Sequence, residues 1–250
     1  MLRSKRIPRV STRGFYDLES GKTLKKKSYD LYPKKFFENL GQYKEFTIMI
    51  HGLQNNKTGA LAKFKIAQKR LQQLGYKYPV IGFSYDSNVR NAHIKSCGRR
   101  AMKIGKIIAR KNAFNLAKFI LHCKKQNPST RIRLIGHSLG SEMIVCALEK
   151  LKYKKNIVEA IYFFGGSIPT NSIHPRKFGK VLQNTVSRKI LNYYSSHDDV
   201  LKHAYNNSMI ERPIGYLGKE GKVVPKYAQK KVSPRNHRFV SYAAVLRSFP

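Results

Sequence analysis

"RIRLIGHSLGSEMI", residues 131–144, places a serine between two glycines straight after an apolar, β-branched run. Residues 131–136 read as a buried strand, and the stretch from Leu139 as a helix with Met143, Ala147, Leu148 and Leu151 turned inward. A strand that bends directly into a helix leaves little room at the turn, which accounts for Gly136 and Gly140. Ser138 between them has two readings. It caps the helix and nothing more, or strain holds its hydroxyl out of the sheet as a reactive group, the Gly-x-Ser-x-Gly arrangement. Gly-rich strand-to-helix turns also bind phosphate, so the rest of the chain must decide.

Outward from this turn, strands alternate with helices. "EFTIMIHG" (45–52), "PVIGFSYDS" (79–87), "NIVEAIYFFGG" (156–166) and "RKILNYYSS" (188–196) read as strands, and "KVVPKYAQKKV" (222–232) as a weaker, proline-interrupted one. Helical spacing marks 57–75, with Leu61, Phe64, Ala67, Leu71 and Leu74 on one side and Gly75 as the stop. A long helix over 98–127 places Ile104, Ile107, Ile108, Phe114, Ala117, Ile120 and Leu121 together, and Asn127-Pro128 closes it. A short helix starts at "VLKHAY" (200–205), and "HRFVSYAAVLRSF" (237–249) reads as a final one. Strands separated by helices predict βαβ units, a mostly parallel sheet and the α/β class. One domain is expected over 45–250, preceded by a basic lead-in over 1–44 in which "KTLKKKSYDLYPKK" forms a solvated arm or an edge element.

The 250 residues suffice for one large core, and 13 Phe with 15 Tyr argue for a folded chain. Cys97, Cys123 and Cys146 make neither a disulfide framework nor a zinc pattern, which suits a reducing compartment. No secretory signal or membrane-length apolar run is visible, so a soluble, cytoplasmic protein is expected. The charge is the outlier: 50 Lys and Arg against 13 Asp and Glu, a formal +37, with Asp86 the only acid from Phe46 to Ser141. Such an excess points to a polyanionic partner, nucleic acid or an anionic lipid surface, or to the ionic surroundings. Arg99, Lys103, Lys106 and Arg110 recur at helical spacing as a candidate basic stripe.

In a parallel sheet the reactive groups sit at the carboxyl ends of strands. Three such ends carry chemistry here, in the order Ser138, Asp198 with Asp199, and His237. A serine hydroxyl needs an imidazole to take its proton, and a carboxylate fixes that imidazole's tautomer. Backbone amides must then face the developing oxyanion. Leu139, directly after Ser138, offers one, and Leu53, after the strand ending in His51-Gly52, the other. His51 reads as shaping this loop and His137 as packing locally. Cys146 reads as a core residue. His197, Asp198, Asp199 and His203 match no strong ligand spacing, so no metal or organic cofactor is expected. The stretches 85–98 and 165–179 follow neighbouring strands and are candidates for substrate selection.

"LIGHSLGSEMIVCALEKL", "IVEAIYFFGGSIP", "ILNYYSSHDDVL", "IGYLG" and "NHRFVSY" together resemble a little-characterised α/β-hydrolase family. Its eukaryotic members include the transmembrane and coiled-coil domain-containing hydrolases, and it has soluble microbial relatives. The resemblance spans roughly residues 45 to 245. It implies an α/β-hydrolase fold, Ser138 as nucleophile, Asp198 rather than Asp199 as the acid three residues before Leu201, and His237 as the base. An ester-like or other small acyl substrate follows. The alternative is a catalytically silent hydrolase fold serving as a basic nucleic-acid-binding or particle-associated module.

Overall fold

The apolar runs form strands in a computed structural model that describes residues 7–89 and 97–250. One eight-stranded sheet contains β1 (Arg9–Ser11), β2 (Asp30–Tyr32), β3 (Glu45–Ile50), β4 (Val80–Ser84), β5 (Arg131–His137), β6 (Val158–Phe164), β7 (Val186–Tyr194) and β8 (Tyr227–Lys231). Their spatial order is β2-β1-β4-β3-β5-β6-β7-β8. Every pairing is parallel except β1 with β2. A parallel sheet must be covered on both faces, and alternation along each strand supplies the two apolar surfaces. On β3, for example, Phe46, Ile48 and Ile50 enter one core and Met49 the other.

Helices α1 (Lys34–Glu38), α3 (Gly98–Gln126), α4 (Gly140–Lys150) and α5 (Lys180–Thr185) cover the first face. Helices α2 (Lys57–Gln73) and α8 (Phe239–Val245) cover the second. The short helices α6 (Asp199–Asn206) and α7 (Ile214–Leu217) follow β7. This mostly parallel sheet, with a Gly-x-Ser-x-Gly turn after the central strand β5, is the α/β-hydrolase fold that the sequence implies. No helix of the described residues is long and apolar enough to cross a membrane.

Several expectations need correction. The stretch 22–35 does hold an edge element, β2, but with β1 beside it the sheet begins before residue 45. On α3, Ile104, Ile108, Ala117 and Ile120 are buried as expected, but Phe114 and Leu121 are exposed. The buried arc runs instead through Ala109, Ala113, Leu116 and Phe119, and Lys118 lies over the outward Phe114 ring at 4.5 Å. The final helix is only the seven residues of α8. Cys146 is half-buried and packs against the core from its margin. The basic stripe is partly engaged within the protein: Arg99 Nε donates to Asn207 O at 2.9 Å, and Arg110 Nε pairs with Glu142 at 2.7 Å.

Asp86 ties the amino-terminal segment to the sheet. Its carboxylate accepts from the amides of Gly14 and Phe15 at 3.0 Å and of Tyr16 at 3.1 Å. Hydrogen bonds to a buried charge contribute about 1.5–3 kcal/mol each and are not additive. Asp86→Asn turns an amide hydrogen toward these donors and should destabilise the fold by about 2–3 kcal/mol, read by denaturant unfolding. Unchanged stability would remove this anchoring role.

Candidate active site

The turn after β5 is shaped by backbone crowding. A Cβ on Gly140 would lie 2.6 Å from Ile50 O, and one on Gly136 would lie 2.8 Å from Ile144 Cδ1 and 3.0 Å from Gly140 C. With neighbours fixed so closely, Ser138 adopts a left-handed conformation, φ +53°. Such a conformation in a residue with a Cβ costs about 1–3 kcal/mol and persists only where the surroundings enforce it. Main-chain bonds do so here. Ser138 N donates to Phe164 O at 3.1 Å, and Ser138 O accepts from Ser141 N at 3.0 Å and Ser141 Oγ at 2.6 Å.

Across from this turn lies the loop after β3. A Cβ on Gly52 would meet Ser138 Cβ at 2.7 Å and Ser138 Oγ at 3.2 Å. Only a glycine lets that backbone approach the hydroxyl so closely. The adjoining amide belongs to Leu53, the second expected oxyanion donor. Gln54, next in line, is also left-handed at φ +56°. Among the described residues, the amides of Leu53 and Leu139 make no turn or loop hydrogen bond.

Asp198 and His237 come together from the ends of β7 and β8. His237 Nδ1 donates to Asp198 Oδ2 at 2.7 Å. Asp198 is 1% exposed. Burial would raise its pKa, but the bond and charge of His237, with donors from Tyr242 and Leu201, outweigh it and hold the carboxyl below its ordinary value. Asp198 Oδ1 accepts from Leu201 N at 3.0 Å, so this same residue is the N-cap of α6. Asp199, the next residue, is exposed and opens the helix. Asp86 is occupied elsewhere, as described. Ser138 Oγ makes no hydrogen bond among the described residues, so the link from hydroxyl to imidazole is not closed. Its neighbour His137 does reach the His237 segment, with Nε2 donating to His237 O at 2.7 Å.

The sequence reading missed Tyr242. Its hydroxyl donates to Asp198 Oδ2 at 2.6 Å, the same oxygen that His237 holds. The signal was present: Tyr242 follows His237 by five residues in "NHRFVSY", on the helix that begins just after the histidine. Burial, then Asp198, raises the tyrosine pKa, so it remains a donor.

The other histidines divide clearly. His51 and His137 are buried, and burial first, then positive neighbours, push both pKa values well below the ordinary range. Both are therefore neutral near pH 7. The surroundings are cationic: burial, then Arg238, lowers Lys63 to about 8. His197 and His203 are exposed, and no group of three or more His, Cys, Asp or Glu among the described residues is arranged to hold a metal ion. Of the two stretches assigned to substrate selection, 165–179 packs beside the turn, with Ser167 N donating to Ser141 Oγ at 3.1 Å. Residues 90–96 of the other lie outside the described residues.

The family model described as "Protein of unknown function (DUF726)" matches residues 22–227. No protein with a curated description matches the chain in sequence. Among solved structures, the chain is similar to a lipase-esterase related protein of Clostridium acetobutylicum, at 11% identity and TM-score 0.42, over 80% of this chain and 89% of that one. It is also similar to lipase B of Aspergillus fumigatus, at 10% and 0.45, over 77% of this chain and 46% of that one. A third likeness is to a Xanthomonas campestris protein described as an α/β serine hydrolase without lid, at 12% and 0.41, over 81% and 78%. Identities and TM-scores this low carry no activity or substrate across.

Because Asp198 is held below its ordinary pKa, its contribution to stability is full above the usual carboxylate range and is lost as pH falls through the lowered value. Tyr242→Phe removes one donor to that charge. It should cost about 2 kcal/mol at pH 7, and the difference from wild type should shrink once Asp198 is protonated. Unfolding of both proteins between pH 2 and 7 measures this, and a pH-independent difference would contradict it.

Proposed function

The chain belongs to the family of proteins of unknown function whose model covers residues 22–227, and we propose that it is a serine hydrolase cleaving an ester or other acyl bond. The observation that carries this reading is the 2.7 Å bond between His237 Nδ1 and Asp198 Oδ2, at strand ends flanking a serine forced into a left-handed turn. In this mechanism His237 Nε2 removes the Ser138 proton as Oγ attacks the carbonyl carbon. The carbonyl electron pair moves onto oxygen, where the amides of Leu139 and Leu53 receive the charge. His237 then passes its proton to the leaving oxygen as the carbon–oxygen bond breaks, leaving an acyl group on Ser138. Water repeats the cycle: His237 takes its proton, the hydroxyl adds to the acyl carbon, and Ser138 departs with a proton restored. Asp198 stays ionised and stabilises the imidazolium. Hydrogen bonds between such groups are often open without substrate and tighten on binding.

No metal or organic cofactor takes part in these steps. Selection among acyl groups falls to the loop over 165–179. Three cysteines, an odd number with wide spacings, suit a cytoplasmic setting.

A fluorophosphonate probe with mapping of the labelled residue tests the reading. Ser138 should take the label, and Ser138→Ala should lose both label and p-nitrophenyl ester hydrolysis while remaining folded. Asp198→Asn should lower kcat by about 10³–10⁴, and Asp199→Asn should change it little. A wild-type protein that takes no label would leave a silent, basic binding module as the better description.

The charge of +37 is a separate matter. We infer that it draws the protein to polyanions, with binding that weakens by about 0.9 in log K per log salt for each duplex phosphate neutralised. Titrating duplex DNA and anionic vesicles with the Ser138→Ala protein across a salt series would show this. Absence of binding at low salt would reject it.

A further inference from the structure

A peptide group is planar, and in its trans form the carbonyl and the N–H point in opposite directions. Fixing the carbonyl of Gly52 therefore fixes the N–H of Leu53. That carbonyl is held twice: His51 Nδ1 donates to Gly52 O at 2.9 Å, and Asn55 Nδ2 donates to it at 2.9 Å. The loop is braced further by Gln54 N donating to Ser87 O at 2.8 Å and by Tyr85 OH donating to His51 O at 3.1 Å.

The tautomer of His51 follows from its partners. Gly52 O only accepts, so the ring hydrogen sits on Nδ1, and Nε2 carries the lone pair. Nε2 faces two donors, Tyr85 N at 3.3 Å and Arg13 Nη2 at 3.4 Å. The Tyr85 ring stacks on the imidazole, with centroids 4.4 Å apart and planes at 5°. Donors on one side and an acceptor on the other leave the ring a single arrangement.

Arg13 is the unusual member. It arrives from the segment after β1, and its Nε donates to Ser84 Oγ at 2.8 Å and its Nη2 to Asn56 O at 3.1 Å. None of these acceptors is charged, and Arg13 forms no ion pair among the described residues. Burial lowers its pKa, with Asp86 and Tyr85 opposing. A half-buried guanidinium with no carboxylate in direct contact is costly for folding alone. Its place beside the loop that meets Ser138 gives it another use.

We propose that Arg13 is a positioning residue of the oxyanion site. Through His51 it holds the Gly52–Leu53 peptide with its N–H turned away from His51 and Asn55, toward the space at Ser138. It also brings a positive charge, on which Asp86 acts through space, to the loop that meets Ser138. This assignment rests on the hydrolase reading above.

Arg13→Gln and Arg13→Lys test it, with active sites counted by fluorophosphonate uptake. For each protein, kcat per labelled site and KM are measured on p-nitrophenyl acetate, and Ki is measured for phenylboronic acid, whose adduct with serine presents a tetrahedral oxyanion. Arg13→Gln should lower kcat per site about tenfold or more, short of the 10²–10³ lost with an oxyanion donor itself. KM should change little, and the boronate Ki should rise by a matching factor. Arg13→Lys, which keeps the charge but not the planar fork, should fall between. If Arg13→Gln does not fold, the lysine variant carries the test with the same readouts. Folded variants with wild-type kcat per site and wild-type Ki would overturn the proposal. So would a loss seen only as fewer labelled sites or a lower Tm, because that is what a purely structural arginine gives. Failure of the wild type to take any label would instead overturn the hydrolase reading, and it would be seen before any variant is made.

Discussion

Crowding between two adjacent strand ends governs this molecule. The backbone leaving β3 and the backbone leaving β5 approach so closely that Cβ atoms at Gly52 and Gly140 would collide with Ser138 and Ile50. Closely packed interiors deform little, so the strain has nowhere to relax. It is held in the left-handed φ of Ser138 and of Gln54. Both lie in loops whose main-chain groups are bonded to neighbouring strands: Ser138 N to the end of β6, and Gln54 N to the segment after β4. The strained hydroxyl is a consequence of how the sheet ends, which is why the site depends on the packing of four strands rather than on one flexible turn.

Scarcity of carboxylates sharpens the role of each buried one. Only 13 acids balance 50 basic residues. Glu45 is 2% exposed at the start of β3 and accepts from Arg131 and Arg133 at the end of the sheet opposite the site. Burial opposes its ionisation, but the two arginines prevail and lower its pKa. Asp86 is given wholly to backbone amides. Asp198 combines two roles, since Oδ1 caps α6 while Oδ2 receives His237 and Tyr242. The cap fixes the carboxylate in rotation, so the oxygen offered to the imidazole is always the same one.

The long apolar runs were legible because each is bounded by glycine, proline or polar turns, and so β3 to β7 and the helices α2 to α4 follow from pattern alone. The strands β1 and β2 were not. Each has three residues, too few for alternation to register, and what fixes them is pairing, β1 with β4 and β2 with β1, and the hold of Asp86 on the segment after β1. The misreading of Phe114 has a related cause. A helix under a broad sheet buries an arc wide enough for several apolar stripes to fit, and small residues such as Ala109 and Ala113 lie at its centre. Ser138, Asp198 and His237 were visible as residue types in order along the chain. Tyr242 was not, because a phenol in a helix carries no sign of its acceptor until the fold brings Asp198 beneath it.

The histidines show how burial assigns chemistry. His51 and His137 each donate from one ring nitrogen to a main-chain carbonyl, Gly52 O and His237 O respectively. A carbonyl asks only for an N–H, which neutral imidazole supplies, and desolvation together with positive neighbours keeps both rings neutral. They therefore act as fixed donors that hold the loops on either side of Ser138. His237 differs in its partner. Its Nδ1 meets a carboxylate rather than a carbonyl, and its side chain is 13% exposed where the Asp198 side chain is fully buried. Three histidines near one serine thus divide into two that hold main-chain carbonyls and one that meets a carboxylate, and the difference lies in whether the acceptor bears a charge.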